Sequence, residues 1–204
     1  MNLHRTLGVP DWHDTPVAQR SILQKVAAST KGFVTLGNLI SLIGIGLVFL
    51  GCILIIAEQY WLGGALIVIG RLLDLADGYV ADKTKTKGPV GEVVDASFDK
   101  FGTIAALITL FVADIVAWPL LIALLVPQLI ISLISFYRKA HQQTIHPSLV
   151  GKLSMAAVWT AIAAFLVAKA SDIWVLSFAG VLIALLSFAL GTIACIQYAL
   201  QKAK

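Results

Sequence analysis

The sequence predicts an all-α polytopic membrane protein, with about six transmembrane helices preceded by a juxtamembrane amphipathic helix. Three observations predict it. The 204 residues are 59% hydrophobic, only 13% are charged and the mean hydropathy is +0.91, whereas a soluble domain carries about 25% charged residues. Apolar runs of about 20 residues, the length that crosses a bilayer as a helix, recur from Phe33 onward. Lys and Arg fall between those runs, concentrated in alternate loops.

Residues 1–32 form a cytoplasmic N-terminal segment, and 33–204 a six-helix transmembrane catalytic domain. In the first segment Thr15 followed by Pro16 predicts a helix start, and Ala18, Ile22, Leu23, Val26 and Ala27 fall on one side of the helix, suited to the inner membrane surface. The segment lacks an apolar stretch of the kind that precedes a cleavage site, so no cleavable signal peptide is expected. The predicted spans run from Val34 to Ala57, Tyr60 to Ala81, Gly91 to Ala113, Val116 to Tyr137, Leu149 to Val167 and Trp174 to Leu200. With the amino terminus inside, the inner segments hold Arg5, Arg20, Lys25, Lys31, Lys83, Lys85, Lys87, Arg138, Lys139, Lys152, Lys202 and Lys204, and the outer loops hold only Lys169. That asymmetry predicts a multi-pass cell-membrane protein with its N-terminus on the cytoplasmic side.

The formal charge of +4 does not argue for nucleic acid, because the basic residues sit at membrane edges, where topology and anionic headgroups account for them. Cys52 and Cys195 lie singly in apolar runs and read as small packing residues. His141 and His146, five apart, make a poor pair of metal ligands. The absence of an internal repeat argues against an inverted-repeat transporter.

The chemistry is concentrated between the second and third spans. Asp74 and Asp77 share a helix face with Ala81, and Asp95 and Asp99 share a face of the next helix. A short loop with Lys83, Lys85, Lys87, Gly88 and Pro89 makes the two helices antiparallel neighbours, so four carboxylates are expected to converge at the cytoplasmic side. An ionised carboxylate at membrane depth costs about 3 kcal/mol even on the lenient insertion scale, so four require compensation. The two cations inside the helices, Arg71 and Lys100, leave two charges unbalanced. Hard oxygen ligands without Cys or His suit Mg²⁺, Mn²⁺ or Ca²⁺ better than zinc. Mg²⁺ is commonly shared with substrate phosphates, and Gly78 and Gly91 would let a bulky ligand approach the backbone.

These residues carry a resemblance. The stretch DLADGYVADKTKTKGPVGEVVDASFD, Asp74 to Asp99, resembles the signature D-x2-D-G-x2-A-R-x8-G-x3-D-x3-D of the CDP-alcohol phosphatidyltransferase family, with every spacing kept. Seven of the eight fixed residue types match; Asp82 stands where the family has arginine. A weaker likeness surrounds Asn38, where the family opens its first membrane helix with Pro-Asn and a following Thr and Arg; here Gly37 precedes Asn38, Ser41 takes the Thr place and Gly44 the Arg place. Gly151-Lys152-Leu153-Ser154 is similar to a Gly-Lys stretch of the glycerol-phosphate branch, with Met155 in place of the usual Thr.

The resemblance implies transfer of a phosphatidyl group from CDP-diacylglycerol to a small polar alcohol, with release of CMP, in phospholipid biosynthesis. It implies two Mg²⁺ or Mn²⁺ ions held by Asp74, Asp77, Asp95 and Asp99, and Asp99 as the catalytic base for the acceptor hydroxyl. Asn38, Gly78, Ala81 and Gly91 would bind the nucleotide end of the donor. Apart from the resemblance, Arg138, Lys139 and Lys152 lie on the same predicted side of the membrane, where they are topology determinants or some of them hold the phosphate of a phosphorylated acceptor. Glycerol 3-phosphate is the first expectation for the acceptor, with inositol phosphate, inositol and serine as alternatives, and membrane lipids and a second copy in a homodimer are the expected partners. Gly44, Gly46, Gly51, Gly63 and Gly64 would permit close helix packing.

Three rivals remain at the level of sequence. An aspartate-rich membrane prenyltransferase has longer Asp-rich motifs, absent here. A divalent-cation transporter needs a polar path, whereas the last three spans offer only scattered uncharged residues such as Gln128, Ser132, Ser135, Thr160, Ser177, Ser187 and Thr192. An inactive scaffold gains a little from Asp82.

Overall fold

The computed structural model describes Trp12 and residues 15–86, 88–140 and 148–200, without the side chains of 89, 90, 92, 93, 95, 96, 139 and 140. Among the described residues there are seven α-helices and no strand. They are α1 (Ile22–Ser29), α2 (Leu36–Ile56), α3 (Tyr60–Thr84), α4 (Pro89–Val112), α5 (Trp118–Ala140), α6 (Leu149–Ser171) and α7 (Trp174–Leu200). Each of the last six overlaps one predicted span.

Four helices are long and apolar enough to cross a membrane: α2, α5 over Trp118–Arg138, α6 and α7. The two between α2 and α5 are as long, at 25 and 24 residues, but carry the charges: Arg71, Asp74 and Asp77 on α3, and Glu92, Asp95, Asp99 and Lys100 on α4. Large apolar side chains point outward on every long helix, with Leu75 78%, Phe136 74% and Trp174 77% exposed. So much exposed apolar surface is stable against lipid and not against water, and it fits an integral membrane protein.

The amphipathic segment begins later than the Thr15-Pro16 pair predicts. A single 3-10 turn at Val17–Gln19 ends in extended backbone at Arg20, whose Nε donates to the Thr15 carbonyl at 2.9 Å. The helix then starts at a capping box: the Gln24 amide donates to Ser21 Oγ at 3.3 Å, and the Ser21 amide to Gln24 Oε1 at 3.0 Å. Ser-x-x-Gln satisfies two helix-start donors at once, which Thr15 with Pro16 does not. Ile22, Leu23 and Val26 stay exposed, while Gln24 and Ala27 are buried.

The chain divides into two compact units. The first comprises residues up to Ile53 and Ala65–Thr103, and it is assembled through glycine. A Cβ on Gly70 would lie 2.5 Å from the Gly44 carbonyl oxygen and 2.9 Å from Val48 Cγ2, and one on Gly44 would lie 2.9 Å from the Gly70 carbonyl. Two turns nearer the start of α2, a Cβ on Gly37 would meet Ala81 Cβ at 3.2 Å. The pairs Gly37–Ala81 and Gly44–Gly70 make α2 and α3 antiparallel with backbones in direct contact, the approach that small residues permit in apolar surroundings. Gly102 on α4 packs toward Ile45 and Val48, so α2 is bounded by both of its neighbours.

The second unit comprises Leu54–Gly64 and Ile104–Lys204, in which α7 packs on α5 and on α6. Its core is Leu107, Leu110, Leu124, Val158, Ala161, Ile162 and Phe165. Buried Ser154 donates to the Ser187 carbonyl at 3.1 Å and accepts from Gln128 Nε2 at 2.9 Å, while Ser187 Oγ donates to the Ser154 carbonyl at 3.1 Å. Three of the scattered polar residues of this half thus join α5, α6 and α7 to one another. Gly191 makes room for Pro127 inside α5, since a Cβ there would fall 2.6 Å from Pro127 Cβ. On the opposite end, Lys169 Nζ sits 5.7 Å from the centre of the Tyr60 ring, a cation–π contact.

Candidate active site

The loop-proximal ends of α2, α3 and α4 enclose a cavity of about 60 Å³, lined among others by Thr35, Asn38, Ser41, Asp77, Gly78 and Gly91. Its walls follow from local structure. Thr35 caps α2, its Oγ1 accepting from the Asn38 amide at 3.0 Å. Asn38 Nδ2 then donates to the carbonyls of Gly32 and Phe33 at 3.1 and 2.9 Å, tying down the turn in which Lys31 and Gly32 take positive φ. The other end of the same amide, Oδ1, faces α4: a Cβ on Gly91 would lie 3.2 Å from it. Gly78 has open space where a Cβ would stand, so the α3 backbone is accessible from the cavity. Ala81, Thr86 and Gly88 complete the rim.

Asp77 is 4% exposed and accepts a hydrogen bond on Oδ2 from Ser41 Oγ across the α2–α3 contact. Ser41 Oγ also lies 3.1 Å from the Gly37 carbonyl of its own helix. Asp74, one turn earlier on α3, pairs through Oδ2 with Arg71 Nη1 at 2.8 Å, and Asp99 on α4 pairs through Oδ1 with Arg71 Nη2 at 2.6 Å. A single guanidinium therefore holds carboxylates from two helices. Lys100 is partly exposed beside them, and Thr103 Oγ1 donates to the Asp99 carbonyl at 2.8 Å.

Of the predicted metal ligands, Asp74 and Asp99 meet at Arg71, Asp77 engages Ser41, and the Asp95 side chain lies outside the described residues. Among the described residues no three His, Cys, Asp or Glu side chains form a group able to hold a metal ion. The donor set fits Mg²⁺ or Mn²⁺ in kind, since it offers only hard oxygens, and two of its members, Asp74 and Asp99, meet at a cation. Of the predicted substrate-binding residues, Asn38, Gly78, Ala81 and Gly91 line the cavity. Arg138 and Lys152 belong to the second unit: Arg138 Nη2 donates to the Ala199 carbonyl at 3.2 Å near the end of α7, and Lys152 is exposed. Lys139 and the two histidines after it lie outside the described side chains. The Arg71 bridge, Thr35 and Thr86 were not singled out from sequence as parts of the site; the three-residue spacing of Arg71 and Asp74 was the available signal.

Gly46, expected among the packing glycines, faces open space, and Gly44 is taken up by the contact with α3 inside the chain. The family model for CDP-alcohol phosphatidyltransferases matches residues 34–193, well over half of the sequence. The chain belongs to that family. Compared with curated proteins one by one, it matches none significantly. As a CDP-alcohol phosphatidyltransferase the chain is a phosphotransferase of phospholipid synthesis, acting between a CDP-alcohol donor and an alcohol acceptor. The family match includes the whole of α2 to α6 and both sides of the cavity.

Proposed function

We propose that the protein transfers the phosphatidyl group of CDP-diacylglycerol to a small polar alcohol, glycerol 3-phosphate first among the candidates. The observation that carries this reading is the meeting of Asp74 and Asp99, from adjacent helices, beside a cavity lined by the motif residues Asp77, Gly78 and Gly91. In the reaction, the acceptor hydroxyl oxygen bonds to the phosphorus that carries diacylglycerol. The bond from that phosphorus to the bridging phosphoanhydride oxygen breaks, and CMP leaves on that oxygen with the bonding electron pair. Asp99 takes the proton from the attacking hydroxyl. The open backbone at Gly78 and the Asn38–Gly91 contact receive the nucleotide end of the donor, and Asn38 positions α4 against α2. Asp74, Asp77, Asp95 and Asp99 would hold two divalent cations, which when bound offset the negative charge of the pyrophosphate and of departing CMP.

In this reading all six long helices span the cell membrane and α1 lies along its inner surface. The charged halves of α3 and α4 then reach the cytoplasmic leaflet, where the lysine-rich loop between them meets anionic headgroups. Two copies pair through their membrane helices. Some of Arg138, Lys139 and Lys152 hold the acceptor's phosphate.

Purified protein incubated with CDP-diacylglycerol, Mg²⁺ and a panel of glycerol 3-phosphate, inositol phosphate, inositol and serine should release CMP with one of them. EDTA should silence that release, and Mg²⁺ or Mn²⁺ should restore it. Release that persists in EDTA would overturn the metal site, and no release with any acceptor would overturn the donor assignment.

A further inference from the structure

Among the described residues, Arg71 pairs with carboxylates of both helices, and none of the roles above uses it. It lies three residues before Asp74 and reaches Asp74 and Asp99 with separate guanidinium nitrogens, at 2.8 and 2.6 Å. The planar guanidinium carries its two terminal nitrogens apart, so each meets a different carboxylate; the contact with Asp99 Oδ1 is an ion pair without hydrogen-bond alignment. All three side chains are largely withdrawn from solvent, being 24%, 17% and 33% exposed, so these pairs are less screened than surface pairs. The two arginines of the family pattern are Gly44 and Asp82 here. The contact of Gly44 with Gly70, next to Arg71 in sequence, leaves no room for a side chain at position 44.

We propose that Arg71 is the built-in counter-cation of the metal-free site. It holds α3 and α4 together through Asp74 and Asp99 when no divalent ion is bound, and it must give up carboxylate oxygens when one enters. Arg71 is thus a positioning residue that competes with the metal. The inference rests on the proposed metal site and deepens it: divalent-ion affinity in this chain is set against an internal arginine.

The test is Mn²⁺ binding to the purified full chain, followed by electron paramagnetic resonance of free Mn²⁺ and by thermal unfolding in EDTA and in saturating Mn²⁺. Arg71→Gln should tighten Mn²⁺ binding about fivefold or more, the size expected from two partly screened ion pairs. It should also lower the unfolding temperature in EDTA while leaving it nearly unchanged in saturating Mn²⁺, since the ion then replaces the lost cation. Arg71→Lys keeps the charge on a shorter, more mobile and more strongly hydrated head that holds the two carboxylates less well, so its Mn²⁺ affinity should fall between those of the wild type and Arg71→Gln. This variant decides the matter if Arg71→Gln does not fold in EDTA. Unchanged or weaker Mn²⁺ binding in both variants, beside a wild type that binds, overturns the competition and leaves the metal site standing. A wild type that binds no Mn²⁺ overturns both.

Discussion

The two units handle buried polarity in opposite ways. In the second, Gln128, Ser154 and Ser187 are neutral and bonded to one another or to backbone across three helices, so each donor is satisfied within the apolar body. In the first, the helices come together through backbone contact at Gly37, Gly44 and Gly70, and the polar groups near them are carboxylates. One arginine neutralises two of those, and one serine engages a third. Uncharged groups that satisfy each other make a scaffold, whereas an excess of anions at a glycine-opened backbone makes a place for a charged ligand. The contrast also disfavours the transporter reading, because Gln128, Ser154 and Ser187 are engaged in joining the last three helices, and Thr160 and Thr192 donate to carbonyls of their own helices.

The comparison breaks most visibly at Asp99. Asp99→Asn should lower CMP release by about 10²–10⁴-fold, the usual worth of a general base, while CDP-diacylglycerol still binds in the presence of metal; turnover at the wild-type rate would remove Asp99 from that role. Gly70→Ala attacks the first unit's architecture. Its Cβ meets the Gly44 carbonyl, which cannot rotate away as a side chain would, so α2 and α3 must separate at a cost of about 3 kcal/mol, the upper end for overpacking. Thermal unfolding in detergent should drop accordingly, and a variant as stable as wild type would refute the backbone contact.

Ser154→Ala sharpens the same contrast from the other side. It strands the Gln128 amide and should cost about 1–3 kcal/mol of stability, with the specific activity of the folded fraction unchanged. A large loss of turnover at full stability would make Ser154 part of the site. The smallest effect is at a helix end: Asp172 takes left-handed backbone, φ 55, after α6, a conformation that costs a non-glycine residue about 1 kcal/mol. Asp172→Gly should therefore raise the unfolding temperature slightly, offset in part by the greater freedom of glycine in the unfolded chain.

Much of this was legible beforehand because it depends on chain-local patterns. The long helices follow from apolar run length, and the Trp174–Leu200 span coincides with α7. The aspartate spacing places Asp74 and Asp77 on one helix and Asp95 and Asp99 on the next. What was not legible depends on which partner a side chain finds. Asn38 stands in the motif-like opening of α2, yet its amide nitrogen holds the carbonyls of Gly32 and Phe33 while its oxygen faces Gly91, which only the packed turn reveals. The sequence shows Arg71 only as a partial counter-charge, and its reach to a carboxylate on another helix depends on the approach of α4. Thr15-Pro16 is a plausible helix opening, but the helix starts at the Ser21–Gln24 box, three residues apart in the sequence, because it satisfies two donors at once.

The contact between Gly44 and Gly70 also limits what substitution can do. Any residue larger than glycine at position 44 runs into a main-chain oxygen, which no exchange of side chain at position 70 can remove. Placing an arginine there, as in the family pattern, requires the two helices to be re-spaced first, so charge can be added near the carboxylates only from other positions on the same pair of helices.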